Sequence, residues 1–191
     1  MDYVWCESCQ EKLEKTTFPV RVQPLAPLAA IAATGVHEGI IREAVQGLKY
    51  GQAKALAQPL SERLVAQLNR QNWTIDIIVP VPLHKTRLAE RGYNQAQLLS
   101  EHVAEEILLP CLAEAVQRQR NTQSQVTLNA MERQTNLEDA FQANPQIVSG
   151  KRILLIDDVY TTGATLSACA QAILQAGAQA VYGLTVTVAR L

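Results

Sequence analysis

Near the C-terminus, four aliphatic residues, Ile153-Leu-Leu-Ile156, run straight into Asp157-Asp158. After a short turn an apolar stripe begins, with Leu166, Cys169, Ala170, Ile173 and Leu174 at i, i+3, i+4, i+7 and i+8. Gly177 ends the stripe, and Val181 to Val188 is again rich in β-branched residues. This spacing predicts a strand over 153–157, a helix over 164–176 and a strand over 181–188. Strand, helix and strand in that order form a βαβ unit, which joins two parallel strands by a right-handed crossover. Parallel sheets need helices over both faces, so the fold class is α/β, with a mainly parallel sheet flanked by helices.

The same run carries chemistry. It sets two acids at the carboxyl end of a strand, where open parallel sheets bind ligands. Thr161, Thr162, Gly163, Ala164 and Thr165 follow, just where the helix begins. A helix N-terminus has N–H groups without partners and a dipole that favours anions, so it suits a phosphate. The acids can meet sugar hydroxyls or a hydrated Mg²⁺. Strand ends also carry Asp simply because they lie at the surface. Three threonines around a glycine, with no apolar residue before Leu166, favour the ligand reading, and the ligand they suggest is a phosphorylated ribose.

A second strand end is informative. Ile75 to Val81 is a strand candidate, and a loop is expected from Pro82 to about Gly92. Beyond Val81 come Pro82, Leu83, His84 and Lys85, then Arg87 and Arg91. Each of these cations is unremarkable alone. Grouped after a strand end, they can pair with a pyrophosphate. Arg87 and Arg91 share a face only if that loop is helical.

Elsewhere a short strand is expected at 29–34. Helices are expected over 37–49, stopped by Gly51, and over a stripe from Leu56 to Leu68, with Pro59 near its start. A further helix over 94–109 would stop at Pro110, and a short strand would span 112–118. Residues 119–138 are rich in Gln, Asn and Thr and sparse in apolar side chains, a long loop of the kind that forms lids. Residues 1–28 read as a separate N-terminal segment and residues 29–191 as the main domain.

The chain has 191 residues, is 48% hydrophobic and carries a net charge of −1, so it can build a core and has no global field for nucleic acid. No direct nucleic-acid binding is expected. No apolar run matches a membrane span, and the first residues do not read as a signal peptide, so the expected location is cytoplasmic. Cys111 and Cys169 read as small core residues. Cys6 and Cys9 form half of a zinc ribbon, which needs four ligands. They are a remnant, half of a site completed outside this sequence, or a site shared between chains; the first two are favoured. Hence no metal-ligating residue is assigned. A signalling receiver domain is excluded, because no Lys and no further Asp follow Asp158. No P-loop sequence is present either.

With these residues in view, segment 153–165 resembles the phosphoribosyl pyrophosphate (PRPP) motif of type I phosphoribosyltransferases. Val79-Pro-Val-Pro-Leu83, Arg91-Gly-Tyr-Asn-Gln95, Leu48-Lys-Tyr-Gly51, Arg120-Asn-Thr-Gln-Ser-Gln125 and Arg133 with Asn136 resemble the ComF branch of that superfamily. The resemblance covers most of residues 30–190. It implies the type I phosphoribosyltransferase fold with a small N-terminal appendage, and PRPP as ligand with Mg²⁺. Asp157 and Asp158 would hold the ribose hydroxyls, and residues 161–165 would cradle the 5-phosphate. Residues 81–85 would form the pyrophosphate loop, and 119–136 a flap. The expected activity is transfer of phosphoribosyl to an unidentified acceptor; the alternative is a non-catalytic PRPP-binding accessory protein. The ComF resemblance also brings competence-machinery proteins as candidate partners and leaves a homodimer open. Thr161 stands where purine-type enzymes carry an acid, which argues against 6-oxopurine chemistry. No general base is identified.

Overall fold

Alternation along the strands decides the layering. The computed structural model describes residues 6–15, 20–119 and 140–189. Its main sheet has five strands: β1 (Val20–Arg21), β2 (Ala30–Ala33), β3 (Ile77–Pro80), β6 (Arg152–Tyr160) and β7 (Ala180–Val188). Their order is β1-β2-β7-β6-β3, with β1 antiparallel and the other four parallel. Ile153 and Leu155 face one core cluster, whereas Leu154 and Ile156 face the other. A side-chain period of two thus buries all four aliphatics at once.

Three helices cover the second face: α2 (Gly39–Tyr50), α3 (Ala57–Leu68) and α5 (Gln95–Ile107). Ile41, Leu48, Leu60, Leu64 and Leu99 are fully buried there. The first face is covered by α7 (Ala164–Gln175) together with a ribbon of β4 (Val116–Arg118) and β5 (Phe141–Ala143). A single turn, α6 (Pro145–Val148), leads from this ribbon into β6. The N-terminal segment contributes α1 (Glu7–Glu14), whose Leu13 is buried against the second cluster. It also supplies β1, the edge of the sheet.

Three expectations change in detail. The acid-bearing strand runs to Tyr160, so Asp157 and Asp158 lie inside it rather than after it. The reason is the partner: β7 pairs as far as Tyr160↔Val188, whereas β3 stops at Pro80↔Ile156. Relative to β3 the acids still stand beyond a strand end. The loop 82–92 contains a helix, α4 (Lys85–Arg91), capped by His84 and ended by Gly92 at φ 80°. The expected strand 112–118 is a 3-10 turn at 113–115 followed by β4. The anticipated flap, with Arg120, Arg133 and Asn136, lies outside the described residues apart from Gln119.

Candidate functional site

The site is built on the carboxyl edge of β3, β6 and β7. Asp158 is 3% exposed and receives Lys49 Nζ at 2.9 Å on Oδ1. Its other oxygen, Oδ2, is buried and has no hydrogen-bond partner among the described residues. Asp157 is half-buried, and its Oδ1 accepts from the Asp158 N–H at 2.8 Å. Burial, followed by the charge of Asp158, holds the Asp157 carboxyl well above the ordinary carboxylate range, against the pull of Lys49.

The turn after β6 fits its glycine closely. Gly163 sits at φ 79°, and a Cβ there would run into the ring and hydroxyl of Tyr160. It occupies the N-cap of α7 without a capping side chain. The Ala164 N–H reaches only a long contact, 3.4 Å, to Thr162 Oγ1. Thr161 and Thr162 are exposed beside it. The chain therefore presents backbone N–H groups and hydroxyls at a helix N-terminus next to the two acids.

Beyond β3 the loop is pinned rather than free. Asn94 Nδ2 donates to the Val81 carbonyl at 3.0 Å, while its Oδ1 accepts from Ala96 N–H and caps α5. His84 Nδ1 accepts from Thr86 N–H at 3.3 Å, so this side chain serves as the cap of α4. Because α4 is helical, Arg87 and Arg91 do share a face. Both line a cleft of about 390 Å³ with Lys49, Tyr50, Gln52 and Glu90. His84 and Lys85 are not in that lining, so the structure divides the cation cluster. Arg91 also donates to Gln95 Oε1 and lies 5.3 Å from the centre of the Tyr50 ring.

Three side chains near the acids escaped the sequence reading as site residues. Lys49 comes from the far end of α2. Thr187 Oγ1 donates a long contact to the Asp158 carbonyl, 3.4 Å, and lies 2.8 Å from His37 Nδ1. Burial, then the charges of Lys49 and Arg42, lowers the pKa of His37, with Asp158 opposing. The only sequence signal for Lys49 was its place in the Leu48-Lys-Tyr-Gly51 stretch.

The N-terminal thiols stand apart from this site. Cys6 is the N-cap of α1 and Cys9 lies in its first turn; both are free. Among the described residues no group of three or more His, Cys, Asp or Glu is gathered as for a metal ion. No helix among them is long and apolar enough to cross a membrane.

Residues 52–191 match the family model of the phosphoribosyl transferase domain, and the chain belongs to that family. It is 35% identical over 142 residues to the DNA utilization protein YhgH of Escherichia coli (strain K12), covering 72% of this chain and 62% of that protein. It is 37% identical over 113 residues to competence protein F of Haemophilus influenzae, covering 57% of this chain and 49% of that protein. These relatives agree with the resemblance to the ComF branch. Among solved structures, the glutamine PRPP amidotransferase from B. subtilis, complexed with ADP and GMP, superposes with a TM-score of 0.52 at 14% identity, covering 74% of this chain and 30% of that one. The shared element is the type I phosphoribosyltransferase fold.

Proposed function

We propose that this chain binds PRPP with Mg²⁺ and transfers its phosphoribosyl group to a nitrogenous acceptor, releasing pyrophosphate. The observation that carries the reading is Asp158, a buried carboxylate with one oxygen unpartnered among the described residues, beside the open N-terminus of α7. A buried acceptor without a donor costs free energy, and such groups persist where a ligand satisfies them. Two adjacent carboxylates fit Mg²⁺, which is bound through one or two carboxylates together with substrate phosphates. When bound, the ion would help to neutralise the departing diphosphate.

The chain's own residues would divide the work. The 161–165 turn takes the 5-phosphate, and Asp157 and Asp158 orient the ribose hydroxyls. Arg87 and Arg91 offset the charge that builds on the leaving pyrophosphate. The acceptor lone pair forms a bond to C1 of the ribose. The C1–O bond breaks, and its electron pair leaves with pyrophosphate.

Titration calorimetry with PRPP and Mg²⁺ tests the first half of this reading. Saturable binding is expected in wild type and is lost in Asp157→Asn with Asp158→Asn; a wild type blind to PRPP would sink it. Pyrophosphate release across a panel of nitrogenous bases tests the second half. PRPP binding with no release under any acceptor favours the other reading, a PRPP-binding accessory protein. The relatives named for competence and DNA utilization motivate that alternative.

A further inference from the structure

We propose that Lys49 is an exchangeable counter-ion: it holds Asp158 in the ligand-free protein and moves to the diphosphate when Mg²⁺ and PRPP bind. This rests on the PRPP reading above and deepens it.

Lys49 belongs to two places at once. Its Nζ lies 2.9 Å from Asp158 Oδ1, with the lysine side chain 21% exposed and the aspartate side chain 4%. It also lines the cleft that holds Arg87 and Arg91. One ammonium thus stands between the ribose-side acid and the cations on the pyrophosphate side. Its base is fixed: Leu48 is fully buried, and the Leu48 carbonyl accepts from the Tyr93 hydroxyl. Its head is not fixed in the same way. Lysine is a point charge with three donors on a flexible stem, so it can change partner while α2 stays in place.

The exchange follows from electrostatics. A divalent cation approaching Asp158 meets Lys49 first, and like charges on one carboxylate repel. Free metal is therefore resisted. A metal that arrives with a diphosphate brings an anionic acceptor for Lys49, so the lysine can leave Asp158 without losing its counter-charge. The site would then favour a metal–diphosphate ester over the bare ion.

The test uses the full chain with Lys49→Met and Lys49→Arg, with Lys49→Gln in place of the methionine variant should that one fail to fold. Mn²⁺ alone, followed by electron paramagnetic resonance, is expected to bind the methionine variant about tenfold more tightly than wild type. PRPP with Mg²⁺, followed by calorimetry, is expected to bind it about tenfold more weakly, the size of one charge-assisted hydrogen bond. Lys49→Arg should stay within about threefold of wild type for Mn²⁺, because the charge on Asp158 remains. In an Asp158→Asn background, Lys49→Met should still weaken the binding of inorganic pyrophosphate. Unchanged Mn²⁺ affinity, unchanged PRPP affinity, or no effect on pyrophosphate in that background would each overturn the exchange. A wild type that fails to bind PRPP overturns the functional reading instead, and the Mn²⁺ arm still reports whether Lys49 guards Asp158.

Discussion

The fold tolerates a charge on Asp157 poorly, and its carboxyl is pushed up to about 8. Its neighbour Asp158 takes the lysine, while among the described residues Asp157 receives only the Asp158 N–H, and burial with the adjacent charge drives its pKa upward. A carboxylate in that position lowers the stability of the ligand-free protein. Asp157→Asn keeps an oxygen for the Asp158 N–H and removes an ionisable group that releases its proton more readily in the unfolded chain than in the folded one. It is expected to raise unfolding stability at pH 7 by about 0.5–2 kcal/mol, the usual gain when a functional site is relaxed, while PRPP binding is lost. The sign with pH follows from the raised folded value: the wild-type deficit grows as pH rises above the ordinary Asp range and vanishes below it. Urea unfolding of both proteins across pH checks this, and an asparagine variant less stable than wild type at pH 7 would contradict it. At this scale the acids and the threonine turn were legible because they are contiguous. Lys49, His37 and Thr187 were not, because only folding brings the end of α2 and the end of β7 to Asp158.

The elements around β3 show how an exposed, charged stretch becomes a shaped edge. Asn94 joins two of them, holding the Val81 carbonyl with its amide nitrogen and capping α5 with its oxygen. Asn94→Ala removes both contacts and is expected to cost about 1–3 kcal/mol, a lost cap plus a lost buried hydrogen bond. Asn94→Asp keeps the cap but cannot donate to Val81. It should still weaken PRPP binding, because a carboxylate oxygen then faces the Val81 carbonyl and the loop before α4 is no longer pinned. Denaturation and calorimetry on the pair separate the two roles; equal PRPP affinity for Asn94→Asp and wild type would deny the loop its pin. Periodicity found the long helices and the four parallel strands, since each buries apolar side chains. It missed α4, whose residues between Lys85 and Arg91 are exposed or half-buried and so leave no apolar stripe. It also stopped β6 at its first charged residue, because pairing with β7, the reason the strand continues, is not a property of the strand's own residues.

Across the whole molecule the two ends of the sheet do different work. The carboxyl edge gathers one buried and one half-buried acid and a helix start without a side-chain cap, features that cost stability in the ligand-free protein. The opposite edge is tied down. Arg152 donates to Asp76 through Nη2 at 2.7 Å and Nε at 3.0 Å, and its backbone N–H adds a third bond at 2.8 Å. This fork joins the start of β6 to the residue before β3 and holds the Asp76 carboxyl well below the ordinary carboxylate range, chiefly through the side-chain hydrogen bonds from Arg152. A carboxyl lowered in the folded state contributes stability above its unfolded pKa, about 3.9 for Asp, and that contribution is lost as pH falls through the folded value. Wild type should therefore exceed Asp76→Asn in stability by a constant margin above about pH 5, and the margin should shrink steadily in stronger acid. PRPP affinity should match in the two proteins at pH 7, because the fork lies at the far edge of the sheet from Asp158. Urea midpoints at pH 7, 5 and 3 measure the margin, and a margin as large at pH 3 as at pH 7 would mean that the fork is held by something other than the charge on Asp76.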